Sequence, residues 1–151
     1  MATGKDVVQR LHEEVWKRRD DRVLDEICAP DCKFYDPMQG NRPMGLAEYK
    51  QIMARFDQSF VVDDVPLDRV MEAGDATVFL WRLTVHMKGD DRARGKIGQT
   101  SGMGLVQLRG GKIVEHRSVW DTLGFFQGLG LVPALALPAT AAGRQPSAPG
   151  V

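Results

Sequence analysis

The sequence carries no excess of charge of either sign: 20 Lys and Arg are matched by 20 Asp and Glu, for a formal net charge of zero. A nucleic-acid binder normally presents a basic face. The one dense basic stretch, Arg92-Ala93-Arg94-Gly95-Lys96, follows Asp90 and Asp91 and reads as a solvated hairpin loop. Long apolar runs are also missing. The longest, Leu123 to Leu137, is interrupted by Gln127, three glycines and Pro133, and is shorter than the roughly 20 residues that cross a bilayer. No membrane or nucleic-acid partner is expected. The opening residues Met1 to Asp6 lead into no apolar signal segment, so the expected compartment is the cytoplasm. Cysteine is scarce. Cys28 and Cys32 would need about two further ligands nearby to hold zinc, and His12, His86 and His116 are scattered. The pair reads as partly buried thiols rather than a metal site or disulfide. Gly102-Met103-Gly104 sits inside a hairpin-forming strand, not at a strand-to-helix turn, and is no nucleotide loop. No metal and no cofactor are expected.

What is present is an ordinary soluble composition, 43% hydrophobic and 26% charged over 151 residues, enough for one domain with a real core. Helical spacing of apolar residues predicts a helix over 6–19, a second short one through Val23, Leu24 and Ile27, and a third over 46–56. Between the last two, 33–36 reads as a brief strand stopped by Pro37. Strands follow over 60–73, with Pro66 implying an edge or bulge, then 77–87, 98–108 and 113–120. Gly102 and Gly104 suggest a bulge or strong curvature. A short apolar helix begins at Thr122, and the Pro/Ala/Gly/Ser-rich end suits a flexible C-terminal tail, 134–151.

Helices grouped before a run of hairpins indicate an α+β fold, in which N-terminal helices cover a curved, mostly antiparallel sheet. Such an arrangement leaves a cone-shaped hollow suited to a small molecule.

Asp36-Pro37 with Gly40 and Gly45, and Glu72-Ala73-Gly74-Asp75 before the long strand, are the first markers of a resemblance. Gly111-Lys112-Ile113-Val114-Glu115, Trp120-Asp121, Leu123-Gly124 and Gly128-Leu129-Gly130 complete it. In this order and spacing they resemble the SnoaL-like polyketide cyclases of the nuclear transport factor 2-like superfamily, over about residues 5–133. The resemblance implies a cone-shaped α+β barrel, a homodimer, and a pocket for a bulky apolar substrate. It also implies cofactor-free aldol ring closure of polyketide esters, with the family's acid/base carboxylate mapping onto Asp121. Relatives include isomerases, epoxide hydrolases and non-catalytic binders, so fold alone does not fix function.

Along the last strand, Glu115, Arg117, Val119 and Asp121 share one face, and Val114, His116, Ser118 and Trp120 the other. With the first set inward, the pocket floor carries two carboxylates with a guanidinium between them. Walls would come from Trp16, Phe56, Trp81, Leu123 and Phe125. Burial would raise the Asp121 pKa, which suits proton abstraction beside a carbonyl, while Arg117 would hold it ionised or bind an enolate oxygen. Tyr35 or Gln99 could also steady that oxygen, and Tyr35 and Asp36 stand at a strand end bordering the pocket. Each residue has a plainer reading. Asp121 is well placed as an N-cap for the helix at Thr122, Arg117 can serve an ion pair, and Asp36 before Pro37 is ordinary turn chemistry. Arg117 also stands where the SnoaL-type pattern has an aromatic. Limonene-type epoxide hydrolases use Arg-x-Asp on a central strand. Arg82-Leu83-Thr84 lacks that acid. The expected function is therefore proton-transfer cyclisation or isomerisation of a bulky carbonyl compound, with a non-catalytic binding or dimerisation module and an epoxide hydrolase as alternatives.

Overall fold

The computed structural model describes residues 1–89 and 96–135. Thr3 starts the first helix through a capping box: its hydroxyl accepts from the Asp6 N–H, and the Asp6 carboxylate accepts from the Thr3 N–H. Helix α1 (Gly4–Arg10) runs straight into a π-helical segment, Leu11–Lys17. The periodicity of 6–19 thus marks one continuous helical stretch, with its second half wound wider than the first. Helix α2 (Val23–Ile27) buries Val23, Leu24 and Ile27 and passes directly into β1 (Cys28–Tyr35).

Strand β1 is longer than the expected 33–36. Its register on β6 (Lys112–Trp120) is irregular between Cys28 and Lys33, and the bulge accommodates Pro30, which has no N–H to give to the ladder. After Asp36 the chain makes a single 3₁₀ turn, Pro37–Gln39, closed by Gly40 at φ 67°. Helix α3 (Leu46–Ser59) then buries Tyr49 and Met53.

The expected strand over 60–73 is two strands, β2 (Phe60–Asp64) and β3 (Leu67–Ala73), both antiparallel to β4 (Ala76–Met87). They are one edge interrupted at Val65-Pro66, where proline cannot donate, although the Pro66 carbonyl still accepts from Arg82 N–H at 3.1 Å. Strand β5 (Ile97–Arg109) follows, then β6 and helix α4 (Thr122–Gly128). The sheet order is β1-β6-β5-β4-β2, with β3 also on β4, and only the β1–β6 pair is parallel. The result is the α+β arrangement expected: helices laid over an open, mostly antiparallel sheet.

Two apolar clusters fill the space between the layers. The larger joins Val8, Leu11, Leu24, Phe34, Met53, Phe79 and Ile113; the smaller lies at the α4 end around Phe60, Val85, Phe125 and Leu129. Cys28 and Cys32 are buried free thiols. Among the described residues no helix is long and apolar enough to cross a membrane. The basic stretch at 92–96, apart from Lys96, and the tail beyond Leu135 lie outside the described residues.

The β5 glycines mark no bulge. The β4–β5 register is unbroken from Ala76↔Gln107 to His86↔Ile97. The glycines instead make room for large rings on β4. A Cβ at Gly104 would stand 2.1 Å from the Phe79 ring, and one at Gly102 2.4 Å from Trp81. Gly104→Val should therefore destabilise the fold by about 1–3 kcal/mol through overpacking. Urea unfolding should show a lower midpoint with an unchanged m-value.

Candidate active site

Helices and sheet enclose a cavity of about 280 Å³. The π-helical segment contributes Leu11, His12 and Trp16; α3 contributes Tyr49, Ile52, Met53, Arg55 and Phe56; β4 contributes Phe79, Trp81 and Leu83. From β6 come His116, Ser118 and Trp120, and from the end of β1 come Tyr35 and Asp36. Of the residues expected at the site, Trp16, Tyr35, Asp36, Phe56 and Trp81 line this cavity.

The others lie elsewhere, and for Glu115 and Arg117 the reason is the pleat of β6. His116, Ser118 and Trp120 face inward, so the alternate set faces out, the reverse of the orientation expected. Arg117 is exposed, forms an ion pair with Glu115, and stacks its guanidinium 3.8 Å from the centre of the Tyr35 ring. Neither Glu115 nor Arg117 lines the cavity. Asp121 follows the strand as an exposed N-cap: its Oδ1 accepts from the Gly124 N–H at 2.8 Å, while its backbone carbonyl accepts from the Thr100 hydroxyl. Gln99 is exposed on the outward-facing set of β5. Phe125 is fully buried beneath α4 among Phe60, Trp120 and Phe126, in the wall's foundation rather than its lining.

The sequence held a signal for the correct face. Val114 and Trp120 stand on one side of β6, against Val119 with three charged residues on the other. Burying the more apolar, less charged set is the cheaper choice.

Asp36 is the carboxylate that reaches the cavity. It ends β1 and caps the 3₁₀ turn, its Oδ1 accepting from the Met38 N–H at 2.8 Å. Its Oδ2 accepts from the Trp120 indole N–H at 3.1 Å. Burial raises its pKa above the ordinary 3.8, and the two hydrogen bonds oppose that rise. No other Asp or Glu among the described residues lines the cavity.

Tyr49, fully enclosed, is pushed well above the usual phenol range by burial, with the Asp36 charge adding to the effect. His12 and His116 are held neutral: burial lowers them to about 4 and about 3, and His12 further lowers His116. Among the described residues no cluster of His, Cys, Asp or Glu could hold a metal ion.

The pattern of SnoaL-like polyketide cyclases matches residues 6–129 of this chain. The chain belongs to that family. Solved structures share its NTF2-like cone fold. AclR of Streptomyces galilaeus, a proposed hydroxylase, is 18% identical with a TM-score of 0.73, covering 87% of this chain and 83% of its own. IdmH of Streptomyces antibioticus, a proposed polyketide cyclase, is 16% identical with a TM-score of 0.72 over 83% and 97%. An LEH-like epoxide hydrolase of M. tuberculosis is 16% identical with a TM-score of 0.64 over 82% and 86%. No curated protein matches the chain.

The folded protein binds the Asp36 proton more tightly than the unfolded chain does, because the folded pKa is raised. Asp36 therefore opposes folding at neutral pH, and this penalty fades as the pH falls through the raised value to 3.8. A carboxyl-carbon NMR titration should place Asp36 above 3.8, and higher again in Trp120→Phe, which removes a hydrogen bond to the charged form. A midpoint unmoved by that substitution would contradict the assignment.

Proposed function

We propose that this SnoaL-like protein is a cofactor-independent cyclase or isomerase acting on a bulky, largely apolar carbonyl compound of polyketide type, with Asp36 as the proton-transferring base. The observation that carries the proposal is the placement of one carboxylate, and one only among the described residues, against an apolar cavity. Desolvation makes Asp36 a stronger base, and the Met38 and Trp120 donors fix its direction. Walls of Trp16, Phe56, Trp81 and Phe126 exclude water from the enolate that would form. In a cyclisation, Asp36 takes a proton from the carbon beside a carbonyl. That carbon then attacks a second carbonyl, and the protonated Asp36 returns its proton to the new alkoxide. In an isomerisation, the same proton returns to a different carbon.

The structure favours this reading over epoxide hydrolysis. The Arg-x-Asp acid of that reaction is missing at Thr84, and no Asp or Glu besides Asp36 lines the cavity among the described residues. Arg82 itself is exposed and paired with Asp68. Asp121 serves α4 as a cap and is not part of the proposed machinery.

Deuterium exchange at the α-carbon of 2-tetralone in D₂O tests the base without knowledge of the natural substrate. Asp36→Asn and Asp36→Ala should each lose about 10²- to 10⁴-fold in catalysed exchange, the range typical of a general base. Asp121→Asn should stay within a few-fold of the parent. Exchange that survives loss of Asp36 removes it as the base, and an absence of exchange in the parent protein supports a non-catalytic binder.

A homodimer is part of the same proposal. On the outward face of the sheet, Leu80, Met103 and Val119 form one cross-strand row. Met103 is 46% and Val119 60% exposed. A second copy of the chain would cover this row. Light scattering should give twice the 16.8 kDa chain mass, and Met103→Glu with Val119→Glu should reduce it to the monomer value.

A further inference from the structure

His116 is 6% exposed, and its ring is surrounded by aromatic ones. Phe34 lies edge-on at 5.7 Å, Tyr49 edge-on at 6.2 Å, and Phe79 stacked at 6.0 Å between centroids. None of these rings competes for an imidazole N–H as a carboxylate or carbonyl would. The described side chains give it no hydrogen bond, and it lines the cavity. His12 lines the same end, edge-on to Phe79 at 5.3 Å, and its Nδ1 is buried with no hydrogen-bond partner. His116 is thus kept in an apolar enclosure without the side-chain partner that a buried polar group ordinarily has, while the His12 ring is hydrogen-bonded to the Val65 backbone and leaves only its Nδ1 unpartnered.

The position of His116 relative to Asp36 is fixed by strand pairing. Phe34 of β1 stands opposite His116 in the parallel ladder, so Asp36 lies diagonally across, two residues further along and one strand over, roughly 8 Å between backbones from the rise and spacing of strands. A carbonyl compound fits that span. A hydrogen bond to its oxygen takes about 3 Å. The oxygen and the neighbouring carbon are about 2.4 Å apart through standard bonds. A carboxylate at reacting distance from that carbon adds about 3 Å, and the path bends.

We infer that the His116 imidazole N–H holds the substrate's carbonyl oxygen while Asp36 removes the proton from the adjacent carbon, with His12 as the second polar group at that end. This rests on Asp36 being the base. The C–H electron pair becomes the C=C bond of the enolate, the C=O π pair moves onto oxygen, and His116 donates to that oxygen without transferring its proton. Burial keeps both imidazoles neutral, and a neutral imidazole can polarise a carbonyl in this way without itself ionising. The substrate is thereby oriented: its reacting carbonyl points toward the two histidines.

A flat enol mimic tests this without turnover. 2-Naphthol and its near-isostere 2-methylnaphthalene would be titrated against the protein, with quenching of the cavity tryptophans as the readout. The parent should prefer 2-naphthol, and His116→Phe should reduce that preference about tenfold, the value of one hydrogen bond. His116→Gln, which restores a donor, should recover most of it. The imidazole ¹⁵N signals of His116 should also shift when 2-naphthol binds the parent protein. An unchanged preference in His116→Phe, no binding of 2-naphthol, or no imidazole shift would overturn the inference. The ¹⁵N measurement decides if His116→Phe proves unfolded by circular dichroism. The same titration in Asp36→Asn separates the two ideas: the naphthol preference should persist there whether or not exchange depends on Asp36.

Discussion

The parallel pairing of β1 with β6 is the constraint on which the site depends. A parallel ladder cannot be closed by a tight turn, so these strands, drawn from opposite ends of the described chain, meet only because the whole sheet lies between them in sequence. Their meeting puts the end of β1 beside the inward face of β6 and lets the Trp120 indole reach Asp36. The carboxylate comes from the first half of the chain and its orienting donor from the last strand. A working geometry therefore requires the complete fold.

The interior balances two opposed demands. The cavity must be dry enough to make a carboxylate reactive, yet a bare carboxylate there would simply take up a proton. One backbone N–H and one indole N–H answer this in part, and burial still prevails. The imidazoles meet the same demand differently, by remaining uncharged. Polar capacity is thus retained in an apolar cone whose lining carries one carboxylate, Asp36, and one guanidinium, that of the exposed Arg55.

Much of this was legible in the residues. Helical spacing, hairpin glycines and the Gly111-Lys112-Ile113 turn gave the element order and the family. Five of the residues expected at the site, Trp16, Tyr35, Asp36, Phe56 and Trp81, line the cavity. For β6 the difference came from which face turns inward, and period-two alternation carries every side chain of that strand across when the choice is reversed. Arg117 and Glu115 moved outward together, and His116 and Ser118, passed over as the other face, moved in. Asp121 shows a different limit. Capping and catalysis call for the same residue type at a strand-to-helix junction, and only the Gly124 N–H in its grasp shows which role is filled. His12 has charged neighbours in sequence, Glu13 and Glu14, yet it is buried and lines the cavity. Its i,i+4 spacing from Trp16 places both on one face of the helical stretch, the face that lines the hollow.

Gly104 and Phe79 carry an implication about size. The ring of Phe79 lies over the bare backbone of Gly104 on the neighbouring strand and forms part of the cavity lining. Strand geometry is indifferent to which of the two positions bears the bulk. A trimmed ring at 79 would lengthen the hollow past the histidine end, and a side chain at 104 would force the ring further in and shorten it. The pair thus sets how far the cavity extends at this point. An exchange of bulk between the two positions would change the length of the cavity and leave the Asp36 carboxylate where it is.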